Sequence, residues 1–289
     1  MLDAGLPRRR FLAAGAALAA GLTATGYGVA NGNSAGRVLD PLRRSFDSNP
    51  VPVRMPFITA PPDAVAAEYA GRQPAAWGAA LPGIKTGIPS HAKRFALTFD
   101  ACGGPGNNDV DENLLSFLVA QQIPATLFLN KRWIDANPAR AAQLAANPQF
   151  ELANHGTAHK PLSVTGRAAY EIKGTATVRE AVDEVWANHE RLTALTGHPP
   201  RFFRPGTAHY DDIAVAITTA LGETPLGYTL NADYGATSTA AQVNAAMLTA
   251  EPGGIALAHM HRPRSGTAAG MYQALPALRA NGFEFVKVP

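Results

Sequence analysis

The sequence predicts an α/β fold whose parallel strands close into a barrel as a single catalytic domain. Seven short β-rich runs alternate with amphipathic helical stretches from Arg94 onward, the order of a parallel sheet with crossover helices. Five residues suited to hydrolytic chemistry, Asp100, His155, Arg204, Asp233 and His259, each fall at the carboxyl end of such a run. In an α/β barrel all those ends open onto one face, so side chains far apart in sequence would converge there. A chain of 289 residues is long enough to bury one sizeable core.

Residues 1–30 read as a twin-arginine export signal. Arg8-Arg9-Arg10 precedes a mildly apolar Ala/Gly/Leu stretch that ends in small residues around Gly28-Val29-Ala30. The expected destination is the periplasm, the cell envelope or the exterior. An uncleaved amino-terminal anchor is the competing reading of Phe11 to Ala30, a stretch about long enough to span a bilayer. Residues 31–80 hold seven prolines among small and charged residues, the composition of a linker or wrapping arm, with a short helix from Asp63 to Tyr69 capped by Asp63. The catalytic domain is expected over 81–289.

Within it the strands are FALTF (95–99), ATLFL (125–129), FELAN (150–154), RFF (201–203), LGYTL (226–230), IALAH (255–259) and FEFVKV (283–288). The clearest helix opens on Thr177 and Glu180 as a capping box. It carries Val178, Val182, Val185, His189 and Leu192 on one stripe and stops at Gly197. Asp109 is expected to cap the helix that turns Leu114, Leu115 and Leu118 inward.

The formal net charge is +3, and about +1 remains without residues 1–30, which carry three arginines and one aspartate (3 − 3 + 1). That is too little for a basic nucleic-acid face, so nucleic acid is not an expected partner. The single cysteine, Cys102, excludes an intrachain disulfide.

The strongest local motif is His155-Gly-Thr-Ala-His159. A spacing of four puts two imidazoles on one side of a helical turn, where both can grip one divalent ion; two capping or packing histidines are the plainer reading. Asp100 precedes Ala101-Cys102-Gly103-Gly104 and could act as a general base or simply bind the amides of its own turn. Arg204, forced into extended chain by Pro205, can hold a carboxylate through its planar fork or form a surface ion pair. His259 beside a carboxylate such as Asp233 would stay protonated near neutrality, as a general acid must. Asp233 could equally belong to a turn in Asn231–Gly235, and His261 shares the face of His259 only if the strand continues.

Taken in order, TFDACGG, NHGTAHKPLS, FFRPG and IALAHM resemble the motifs of the polysaccharide deacetylase (NodB-homology) superfamily, carbohydrate esterase family 4, from about Lys93 to the carboxyl terminus. The resemblance implies a distorted (β/α)7-type barrel and a divalent metal, commonly zinc. It implies hydrolysis of N-acetyl or O-acetyl groups on a cell-wall or extracellular polysaccharide such as peptidoglycan or a chitin-like glycan. Carried over, it makes Asp100 the base, His155 and His159 metal ligands, and Arg204 the residue that orients Asp100. His259 becomes the acid held charged by Asp233, Leu257 part of the acetyl pocket, and Thr207 the backbone N–H donor to the oxyanion. The family's second aspartate, its third metal ligand, is here Ala101. Cys102, Asp100, Asn154 or water could fill that place, and an inert buried thiol is the plainer reading of Cys102. Arg204-Pro205-Gly206-Thr207 and Asp233-Tyr234 also depart from the family pattern, so the sugar-binding walls are expected to differ. A catalytically inactive glycan-binding barrel is the competing function.

Overall fold

The computed structural model describes residues 60–89 and 92–289. The export signal or anchor expected over 1–30, and most of the proline-rich segment, lie outside these residues. In chain order the elements are α1 (Pro62–Tyr69), β1 (Trp77–Gly78), β2 (Arg94–Ala101), α2 (Glu112–Ala120), β3 (Ala125–Leu129), α3 (Lys131–Ala136), α4 (Pro138–Ala146), β4 (Phe150–Asn154) and α5 (Val178–Thr196). They continue with β5 (Phe202–Phe203), β6 (Tyr210–Asp211), α6 (Asp212–Ala220), β7 (Thr224–Pro225), β8 (Leu230–Asn231), α7 (Ala240–Met247), β9 (Ile255–His259), α8 (Thr267–Ala280) and β10 (Glu284–Val286).

The main sheet is parallel throughout and runs β7-β5-β4-β3-β2-β9-β8, with β10 paired to the first residues of β2. It curls into a half-barrel of the (β/α)7 type predicted from the strand count. The run expected at 226–230 is the main difference. Only Leu230–Asn231 forms a strand there, while Leu226 bridges to Lys85 and Gly227 donates to its carbonyl. The sheet opens at this seam because the Leu226 amide is satisfied by the Phe203 carbonyl of β5 and the Gly227 amide by Lys85, so bonding to β9 begins only at Thr229.

Period-two alternation sorts the strands into two layers. Phe95, Leu97, Phe99 and Ala101 of β2 face outward into a core shared with Leu114, Leu118, Trp133, Met271 and Leu275 of the surrounding helices. Ala96 of β2, Phe128 of β3, Ala153 of β4, Phe202 of β5 and Ile255 of β9 fill the inside of the curl. This parity decides which strand-end residues enter the site: Asp100 follows Ala96 and Thr98, His155 follows Ala153, Arg204 follows Phe202, and His259 follows Ile255 and Leu257.

The helix signals hold with three adjustments. Thr177 caps α5 through the amide of Glu180, and Gly197 ends it in the left-handed conformation. The Glu180 carboxylate takes the amide of Ala176 and the ammonium of Lys160 rather than the Thr177 amide, so the box is half formed. Asp111, not Asp109, caps α2, accepting from Leu114 at 3.0 Å; the Asp109 carbonyl instead accepts from the Trp133 indole. Asp63 lies in the first turn of α1, whose cap position is Pro61, and pairs with Arg179. Val65 and Tyr69 of α1 pack against α5 and α6.

Candidate active site

At the carboxyl ends of the strands, a cavity of about 650 Å³ is lined by Asp100, Cys102, His155, His159, Thr207, Leu257, His259 and His261, among others. All the predicted site residues except Arg204 and Asp233 line it directly, and those two stand immediately behind lining residues. Arg204 is fully buried. Its Nη1 donates to Asp100 Oδ1 at 2.7 Å and to Thr98 Oγ1 at 2.9 Å, its Nη2 to the Gly227 carbonyl at 3.0 Å, and its guanidinium lies 4.3 Å from the Phe128 ring centre. One carboxylate oxygen of Asp100 is thereby fixed, while the other, Oδ2, faces His155 Nε2 at 3.7 Å.

His155 turns its Nδ1 to the Arg204 carbonyl at 2.8 Å, which assigns a proton to that nitrogen, so in the neutral imidazole Nε2 carries the lone pair on the side of Cys102 and Asp100. Cys102 Sγ lies 3.8 Å from that Nε2. The ligating atoms of Cys102, His155 and His159 all fall within 4.8 Å of one another. Two ligands at ordinary zinc distances on a tetrahedral ion stand roughly 3.5 Å apart, so the Cys102–His155 pair fits a shared ion. Burial pushes the Cys102 thiol up, but His159, His155 and His259 outweigh it and hold the thiol well below its ordinary range. That favours the thiolate, the ligating form.

The parity of β2 and β4 separates the groups that could stand with the two imidazoles: Asp100 and Cys102 face the cavity and Asn154 does not. Ala101 points into the outer core, whereas Cys102, two residues past Asp100, returns to the inner side. Asn154 also points outward. Its amide donates to Val185 O and Glu223 Oε1, and its oxygen accepts from Gly156 and Asn188, so it does not reach the cavity.

The His155–His159 segment is a loop, not the helical turn expected. Gly156 has φ +78° and His159 has φ +61°, both outside the helical region. The buried carboxylate of Glu184, on α5, accepts from the amides of Thr157, Ala158 and Lys160 at 2.9–3.1 Å and replaces the intrahelical bonds. A Cβ on Gly156 would stand 2.5 Å from Glu184 Oε1, and one on Gly206 would stand 2.2 Å from the His159 carbonyl. The unusual Pro205-Gly206 therefore lets β5's exit pass against the backbone of a metal-binding candidate. Glu184 is absent from the sequence prediction, although a carboxylate between Ala181 and Val185 on a buried helical stripe is the kind of exception that flags a specific partner.

On the other side of the cavity, Asp233 is fully buried. Its Oδ1 meets His259 Nδ1 at 2.8 Å, and its Oδ2 accepts from the His259 amide and the Thr267 hydroxyl, each at 2.8 Å. Burial alone would discharge the His259 imidazole, but the Asp233 carboxylate outweighs it and raises the imidazole well above its usual range. Burial likewise acts to raise Asp233, and the His259 charge and hydrogen bonds bring it below the ordinary carboxylate value. Both shifts favour the charged pair, with the His259 imidazole facing the cavity. His261 reaches the same cavity although β9 ends at His259, because the chain turns and its Nδ1 meets the Asp100 carbonyl at 3.3 Å. Thr207 has φ +68°, and Leu257 lies in the cavity floor.

Residues 87–226 match the family model described as polysaccharide deacetylase. A bifunctional xylanase/deacetylase of Pseudobutyrivibrio xylanivorans is 26% identical over 202 residues, covering 68% of this chain and 30% of that protein. The chain thus spans less than a third of the length of that curated relative. Among solved structures, a family 4 carbohydrate esterase pseudoenzyme of Bacillus anthracis aligns with TM-score 0.61 at 21% identity, over 72% of this chain and 68% of that one. A family 4 carbohydrate esterase of Bacillus subtilis aligns with TM-score 0.57 at 18% identity, over 78% and 86%. A peptidoglycan N-acetylglucosamine deacetylase aligns with TM-score 0.60 at 21% identity, over 71% and 90%.

Proposed function

We propose that this chain, whose residues 87–226 match the polysaccharide deacetylase family model, is a member of that family and a metal-dependent hydrolase that removes N-acetyl or O-acetyl groups from a cell-wall or extracellular polysaccharide. The observation that carries this reading is the thiolate–imidazole–imidazole cluster of Cys102, His155 and His159 set between a fixed carboxylate and a charged imidazole. Those three residues would hold a divalent ion, with zinc favoured by the sulfur donor. Such an ion supplies Lewis acidity toward a carbonyl oxygen and acidifies water.

The chain's own residues supply the rest. Asp100, with one oxygen held by Arg204, offers Oδ2 to take a proton from the attacking water. His259 delivers a proton to the departing amine or alcohol, and Asp233 keeps it charged and aimed through Nδ1. The Thr207 amide stabilises the tetrahedral oxyanion, and Leu257 contacts the acetyl methyl. Export by the twin-arginine route, in keeping with Arg8-Arg9-Arg10, would bring the enzyme to such a glycan.

Metal analysis of the purified protein, with acetate release from N-acetylated chitooligomers, peptidoglycan fragments and acetylated xylan before and after chelation, tests the proposal. Bound metal and chelator-sensitive release support it. Ala101, in place of the usual aspartate, and the likeness to a pseudoenzyme favour a second reading, a glycan-binding barrel without turnover. Glycan binding that survives chelation with no acetate released would establish that reading instead.

A further inference from the structure

Three of the six large exposed hydrophobic side chains among the described residues, Tyr170, Ile172 and Tyr234, line the cavity above Cys102, His155 and His159. The two tyrosines are the most exposed of the six, at 72% and 68%. Each is also displayed on backbone that disfavours it. Ala169 and Ile172 exchange both backbone hydrogen bonds around a two-residue turn whose central residues, Tyr170 and Glu171, have φ +48° and +64°. Such a turn favours Asn-Gly, because both central positions are left-handed. Tyr234 repeats the pattern with φ +48°, pinned by Asn231 Oδ1 on its amide and by the Thr237 hydroxyl on its carbonyl.

Folding gains little from either ring. Tyr170 meets His209 edge-on at 5.5 Å and otherwise faces water. Wet aromatic rings held on strained backbone at the mouth of a cavity point to a ligand. Tyr170 lies in the β4–α5 connection and Tyr234 follows β8, and both line the same cavity. Aromatic faces above a polar floor suit a pyranose ring, whose axial C–H face is apolar and whose rim is hydroxylated.

We propose that the Tyr170 turn, together with Tyr234, is a platform for a sugar ring adjacent to the one that enters the cavity, so that the site selects oligosaccharides over monosaccharides. This deepens the hydrolase reading and rests on it for the identity of the ligand. The test is calorimetric titration of the chelated full chain and its variants with N-acetylchitohexaose, acetylated xylohexaose and N-acetylglucosamine, alongside acetate release by the metal-loaded protein. The wild type is expected to bind one of the hexamers more tightly than the monosaccharide. Tyr170→Gly, whose residue accepts the left-handed turn, is expected to weaken that binding about tenfold while melting no lower than the wild type. Tyr170→Phe, which keeps the ring, is expected to bind within about twofold of the wild type. Undiminished hexamer binding by Tyr170→Gly, or no hexamer preference in the wild type, overturns the proposal. Weakened binding without acetate release from any glycan leaves the platform standing and removes the hydrolase. Acetate release with undiminished binding does the reverse.

Discussion

Glu184→Gln isolates the element that holds the His155–His159 loop. The carboxylate accepts four hydrogen bonds from three amides, those of Thr157, Ala158 and Lys160, and is only 4% exposed. A hydrogen bond to a charged acceptor contributes about 1.5–3 kcal/mol, against roughly 0.5–1.5 kcal/mol for a neutral one. Glutamine keeps an oxygen at the Oε1 position, so three bonds weaken by about 1 kcal/mol each. Its NH2 then replaces Oε2 and faces the Ala158 amide, donor against donor. Burial pushes the Glu184 carboxyl up against those hydrogen bonds, and a neutral glutamine is relieved of that desolvation, so the expected net cost is about 1–3 kcal/mol, part of a typical 5–15 kcal/mol stability and compatible with folding. Because the loop ends on His159, metal affinity should fall with it, by roughly 10–100-fold as for other supports of metal ligands. Urea unfolding of the metal-free protein and a metal titration read the two effects separately. Stability within 0.5 kcal/mol of the wild type, with unchanged metal affinity, would refute the idea that this carboxylate sets the loop.

Other perturbations follow from the same geometry. Asp100→Asn should lower acetate release by at least about 100-fold with metal content unchanged; loss of metal in the same variant would make Asp100 a ligand instead. Cys102→Ser should lower the metal content of purified protein, read by elemental analysis, and an unchanged content would return the thiol to a packing role. Gly206→Ala should cost about 1–3 kcal/mol or more and loosen metal binding, since its methyl must displace the His159 backbone; thermal melting and metal titration check it. Glu223→Gln should flatten the dependence of stability on pH. Burial raises the Glu223 carboxyl to about 7 against the pull of His189 and Asn154, so its neutral form is the better buried one. Its contribution is therefore fully present below the unfolded value near 4.5 and is lost as pH rises through about 7. Urea unfolding at pH 5 and pH 8 measures this, and equal slopes for both proteins would dismiss it.

Six of the seven β-rich runs, the α5 cap and stop, and the strand-end positions of Asp100, His155, Arg204 and His259 were legible because they rest on local rules. Side-chain alternation, capping chemistry and the breaking of helices by glycine act over a few residues and leave marks at fixed spacing. The same rules misplaced the cap of α2 by two residues, since Asp109 and Asp111 are equally good caps in isolation and the Trp133 indole decides between them.

What the sequence determined by itself is therefore most strands of the main sheet and the strand ends that bear chemistry, with Asp100, His155, Arg204 and His259 sharing one parity toward the inside of the curl. Only the tertiary structure decided that the Cys102 thiol lies within 4.8 Å of the two histidines while Asn154 turns away, that Glu184 rather than a helical turn brings those histidines together, and that Tyr170 stands at the mouth. Each of these depends on hydrogen bonds or approaches between segments tens of residues apart. Their partners are chosen by how the sheet curls and where the helices lie against it, and no short-range periodicity records that choice.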